Sequence, residues 1–83
     1  MEFEKGRVVF SRSGRDKGRF LAVLSEAGGY CLLVDGKERP LERPKRKNKI
    51  HISRTNSVLS EQSMATNREI RKALAAFQAG GEA

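Results

Sequence analysis

Along residues 7–34 the apolar positions come in short runs rather than at helical spacing, and each run ends at a glycine or a charged turn. Residues 7–12, with Val8, Val9 and Phe10, read as a strand, because β-branched and aromatic side chains suit a pleated surface. Residues 13–18 (Ser-Gly-Arg-Asp-Lys-Gly) form a charged loop carrying two glycines. Residues 19–25 predict a second strand. Its run is apolar on both faces, so the pattern does not say which side chains point inward. The turn Ala27-Gly28-Gly29 leads to a third strand at 30–34, and Asp35-Gly36 after it is a strong hairpin signal. Pro40 and Pro44 forbid a central strand and leave an edge strand or a loop over 38–49. Ile50-His51-Ile52-Ser53 alternates apolar and polar, as a closing half-buried strand should. Four or five short strands joined by tight turns predict a mainly β fold, a small closed β-barrel.

The period then changes. Residues 55–66 are largely polar and read as a linker. Thr66-Asn67-Arg68-Glu69 is a capping-box pattern, a Thr cap with Glu three residues later. Ile70, Ala73, Leu74 and Phe77 follow at i, i+3, i+4 and i+7, one face of a helix, and Gly80-Gly81 stops it. A helix of this length is marginal alone, so its apolar stripe should dock on the barrel or on a partner. The expected organisation is a barrel with its basic segment over 1–54, the linker at 55–66, and a C-terminal amphipathic helix at 67–79. Ile70, Leu74 and Phe77 are the candidate contacts to any protein partner, and docking on the barrel is the favoured use of them.

Charge sharpens this picture. The 83 residues carry 17 basic and 10 acidic side chains, a net of +7. Residues 1–36 hold six basic and five acidic groups, residues 37–54 eight and two, and residues 55–83 three of each. The excess therefore sits in one stretch centred on Pro44-Lys45-Arg46-Lys47-Asn48-Lys49. Such a block repels itself and calls for a polyanion, nucleic acid first and anionic membrane second. No apolar anchor adjoins it, which argues against the membrane.

At this length only about 60% of the unfolded chain's surface can be buried, which leaves little room for a deep catalytic cavity. Nothing resembles a nucleophile–base pair, a paired-carboxylate site or a nucleotide loop. Cys31 and His51 are single, so neither a disulfide within the chain nor a four-ligand metal site is expected, and no cofactor is implied. Met-Glu-Phe-Glu-Lys at the start does not read as a signal peptide. The expectation is a non-enzymatic cytoplasmic protein.

The loop at 12–19 carries the candidate chemistry. Gly14 permits a turn with positive φ, and Gly18 a bulge or a close backbone approach to a ligand. Arg12, Arg15, Lys17 and Arg19 cluster around the tip, offset by Asp16. Exposed N–H groups beside fixed cations suit phosphate oxygens, which a guanidinium can bond bidentately. Gly6-Arg7, then Gly14-Arg15-Asp16-Lys17-Gly18, then Leu33-Val34-Asp35-Gly36 resembles the KOW motif of ribosomal proteins and transcription elongation factors. The likeness covers about residues 5–53. It is nearest to small bacterial KOW-domain proteins, which are similar to a KOW-type large-subunit ribosomal protein of archaea and eukaryotes. The resemblance implies an SH3-like barrel that binds structured RNA, ribosomal RNA above all, with Arg12, Gly14, Arg15, Lys17 and Gly18 at the RNA backbone. It assigns nothing to the C-terminal helix.

Weighing charge and resemblance together, the RNA-binding residues expected are Arg12, Gly14, Arg15, Lys17, Gly18, Arg19, Arg43, Lys45, Arg46, Lys47 and Lys49. Against this stands the reading of 12–19 as an ordinary solvated hairpin and of 43–49 as a solubilising run. Tyr30, Phe10 and Phe20 read as structural, since sheets that stack bases display several exposed aromatics. Lacking Trp and with one Tyr, the chain cannot line a groove for proline-rich peptides. Two functions remain: an RNA-binding protein of ribosome function, assembly or quality control, and a protein-interaction adaptor of transcription or translation that uses the barrel surface.

Overall fold

In the computed structural model, which describes residues 3–78, the elements follow the order β1 (Arg7–Ser11), β2 (Phe20–Ala27), β3 (Tyr30–Val34), β4 (Lys45–Asn48), a 3-10 turn (Lys49–His51), β5 (Ile52–Val58) and α1 (Asn67–Gln78). The strands form one antiparallel sheet in the order β4-β3-β2-β1-β5.

That order forces the sheet to curl. Across five strands spaced about 4.8 Å apart, a flat sheet would hold its edges roughly 19 Å apart. Yet β4 and β5 are those edges, and a three-residue 3-10 turn joins them, rising only about 2 Å per residue. The edges must therefore approach each other. Register shifts between Arg7 and Val9 and between Val23 and Ser25 add local twist. The turn is pinned on both sides: Lys49 N donates to Gly29 O (2.9 Å), and Arg12 N to His51 O (2.8 Å). No ladder joins β4 to β5 among the described residues. The closed barrel expected from the strand count is thus an open, curled sheet whose edges are linked by chain rather than by hydrogen bonds.

Both faces are buried along β1 and the first half of β2. On the inner face Phe3, Val9, Leu21, Val23, Cys31, Leu33 and Ile52 form one cluster. On the outer face Val8, Ala22 and Val34 meet Met64, Ile70 and Leu74, with Phe20, Leu24, Leu41, Leu59 and Phe77 at the margin. This resolves the second strand: Leu21 and Val23 point inward, Ala22 toward the helix. Its run is apolar throughout because neither face meets water.

The helix docks as favoured. Ile70 and Leu74 are buried within the outer cluster, so the possible partner contacts at Ile70, Leu74 and Phe77 are instead used on the sheet. Thr66 Oγ1 accepts from Glu69 N (3.1 Å), as the capping pattern predicts. Asn67 Oδ1 accepts from Leu41 N (2.8 Å) at one end of the helix. At the other end Gln78 bonds both backbone groups of Phe20. Gly36 has φ +80°, and a Cβ there would strike the Asn67 carbonyl. The Gly80-Gly81 stop and the expected last helical residue, 79, lie outside the described residues.

Two local readings need correction. Asp35-Gly36 does not make a two-residue hairpin. The Asp35 carboxylate accepts from Lys37 N and Arg39 N, both at 2.9 Å, and the chain loops through both prolines before β4. Ile50 and His51 belong to the 3-10 turn and are exposed; β5 starts at Ile52 and continues through 55–58 of the expected linker. No helix is long and apolar enough to cross a membrane among the described residues.

Candidate nucleic-acid interface

The loop between β1 and β2 is folded by its own backbone before any ligand arrives. Gly18 N donates to Ser11 O (2.9 Å), Lys17 N to Gly14 O (3.2 Å) and Arg19 N to Asp16 O (2.9 Å). Gly14 takes φ +78° and Gly18 φ +85°, so both glycines fill the left-handed conformations that consecutive tight turns demand.

Asp16, the one acid among the loop's cations, is buried rather than a solvated offset. Its carboxylate receives Arg39 at 3.4 Å and Lys47 at 3.9 Å. Lys47 also donates to Ser13 O (2.6 Å), and a Cβ on Gly14 would sit 3.1 Å from its Nζ. Glycine at 14 therefore also makes room for this ammonium group. Arg39 is in turn held by the Asp35 loop, and Asp35 lies 3.9 Å from Arg19. One buried acid thereby fastens loop 13–18, the 35–39 loop and the edge strand β4 to one another. A buried cation is tolerable only when paired and hydrogen-bonded, and Lys47 is both.

The eleven expected contacts now separate. Arg15, Lys17, Arg43 and Arg46 are exposed, and Lys45 is half-buried. None of these five forms an ion pair among the described residues. Arg12 is exposed and donates to Ile50 O (2.5 Å), a neutral partner that leaves its charge uncompensated. Arg19 faces Asp35, and Lys49 is paired with Glu26. Lys47 is an internal strut. Gly14 and Gly18 shape the loop. The structure thus brings the two basic segments together and leaves six of their nine cations without an ion pair among the described residues.

The chain matches no protein-family model and no curated protein. The site is accordingly read from its own chemistry.

Sequence reasoning missed Asp16, Arg39 and Asp35. The signal for Asp16 was its place as a lone acid between two glycines in a run of cations, where a purely solvated basic loop has no need of it. Hydrogen bonding from Arg7 holds the Glu4 carboxyl down at about 2, and burial pushes the Cys31 thiol up, away from nucleophilic use. No group of three or more metal-ligating side chains occurs among the described residues. A shallow open cleft lies where the helix meets the sheet, lined by Arg19, Asp35, Lys37, Arg71, Leu74 and Gln78. It holds no nucleophile–base pair.

Proposed function

We propose that this chain is a non-enzymatic RNA-binding protein whose curled sheet is an open SH3-like barrel of the KOW type. Loop 13–18 and the β4 edge form its phosphate-binding surface. The observation that carries the reading is the Asp16 clamp. It fixes a glycine loop against a polybasic strand while Arg12, Arg15, Lys17, Arg43, Lys45 and Arg46 keep uncompensated charge. Cations held in place by a rigid scaffold lose little freedom on meeting phosphate, so preorganised groups bind better than a flexible basic tail. Structured RNA, ribosomal RNA in particular, offers closely spaced phosphates in a fixed shape. The role that fits is cytoplasmic ribosome function, assembly or quality control. The adaptor alternative needs an apolar contact surface. Among the described residues only Ile50 and Val58 are exposed large hydrophobics, one at each end of β5's reach rather than in a patch.

Salt dependence of binding tests this. With about five phosphate contacts, log K should fall with log salt at a slope near −4, given roughly −0.7 to −0.9 per contact. The triple variant Arg15→Ala, Lys17→Ala, Arg43→Ala should flatten that slope by about two to three units, while each of these exposed changes alters stability by less than about 0.5 kcal/mol. A slope near zero, or equal affinity for folded RNA and heparin, would remove specific RNA binding and leave the adaptor in its place.

A further inference from the structure

Four of the chain's five aromatic residues are phenylalanines, and they are committed to packing. Phe10 meets Phe20 edge-on and Phe20 meets Phe77 at a tilt, with ring centroids 5.1 and 5.7 Å apart, and Phe3 lies in the inner cluster. Tyr30 stands apart. It opens β3, is half-buried, and carries the Arg46 guanidinium over its ring at 4.2 Å from the centroid. The register sets Leu32 opposite Arg46 and Tyr30 opposite Asn48, so ring and guanidinium are diagonal neighbours on one face of the edge strand. Lys45 and Lys47, in alternate register, lie on the other face. Arg46 is exposed and forms no ion pair among the described residues, so its guanidinium, although held over the ring, remains open to solvent.

We infer that Arg46, held over the Tyr30 ring, is a stacking ledge for an unpaired RNA base. A guanidinium plane is delocalised and weakly hydrated, and it stacks on π-faces as readily as it pairs with phosphate. Tyr30 fixes that plane in advance and removes the freedom an isolated arginine would have to give up. An RNA strand following the free edge of β4 would place phosphates toward Lys45 on one face and a splayed-out base on Arg46 on the other. The inference rests on the RNA-binding reading and adds to it a ligand feature, a bulged or looped-out base.

The single tyrosine and the absence of tryptophan make the test direct, because tyrosine fluorescence of the intact protein reports from this ring alone. Two blunt-ended RNA duplexes with the same number of phosphates, one bearing a single-base bulge and one fully paired, are titrated against it. The bulged duplex should bind about tenfold more tightly and change Tyr30 emission; the paired one should bind without that change. Arg46→Lys keeps the charge and so the salt slope, but loses the plane and with it the preference for the bulge. Equal affinity and equal emission for the two RNAs overturn the ledge, as does a bulge preference that survives Arg46→Lys. If both RNAs bind with a steep salt slope and emission stays unchanged, the phosphate surface stands and only the ledge falls. If neither binds, both fall.

Discussion

The two sides of this sheet use polar side chains in opposite ways. Under the helix, every polar group that reaches across is matched. Asn67 serves Leu41 and Glu42, Gln78 serves both backbone atoms of Phe20, and Arg71 caps the Gly36 carbonyl at 2.7 Å. At the β4 edge one buried acid satisfies two cations, while Arg15, Lys17, Arg43, Lys45 and Arg46 around it form no ion pair among the described residues. Among the described residues no buried side-chain nitrogen or oxygen lacks a partner, so the surplus is a surface property and not a defect of folding. The contrast separates two demands on the sequence. The helix side carries what the fold needs, whereas the edge carries charge that folding alone would discard, since it repels itself.

The largest effect should come from attacking the helix side. Leu74→Ala opens a cavity between helix and sheet and should cost about 2–5 kcal/mol, read by denaturant unfolding. RNA affinity, measured where the variant is still folded, should not change. A loss of binding as large as the loss of stability would erase the division between the two sides.

Asp16→Ala should come next. It strips Lys47 of its buried carboxylate and should cost about 3 kcal/mol. It also distinguishes clamp from charge. Removing an acid raises the net positive charge, which by itself favours RNA; loss of the clamp loosens the loop and weakens binding. Weaker binding at constant salt supports the clamp, and tighter binding would reduce Asp16 to a mere offset.

The smallest effect lies at Glu4. Arg7 bonds it at 3.0 and 2.7 Å and holds its carboxyl at about 2 rather than the ordinary 4.5. A depressed folded-state value means the contribution is complete above pH 4.5 and disappears as pH falls through about 2. Glu4→Gln should therefore flatten the loss of stability within that acid window. An unchanged acid profile would show that this partly exposed pair adds nothing.

What could be read in the sequence followed from local rules. β3 matches its expected span, 30–34, because a glycine turn precedes it and an aspartate with a side-chain-bonded loop follows. The helix begins where Thr66 caps it, and its i, i+3, i+4, i+7 stripe faces the sheet. The unbroken apolar run of β2 left its inward side chains unassigned, because assigning its faces required knowing that the helix covers one of them. Lys47 could not be placed from its neighbours. In a run of lysines and arginines it looks solvated, and its burial depends on Asp16, which is remote in sequence and adjacent only after the sheet curls. Asp35-Gly36 misled for a related reason: the same dipeptide that suits a tight hairpin also suits a wider loop gathered around the aspartate carboxylate.

The pairing of β5 with β1 has a consequence for the order of folding. β1, β2 and β3 are consecutive and can zip locally, whereas Arg7 meets Val58 and Ser11 meets Ile52 only after all the intervening chain is gathered in. The entropy of closing that loop must be met before its contacts repay it. Its arrival also brings Leu59 N to the Gly6 carbonyl at 2.8 Å and places Leu59 and Met64 in the outer cluster. Until then the helix has an incomplete bed. The seam between β1 and β5 therefore has the longest loop of the sheet to close, and closing it completes the surface on which the helix rests.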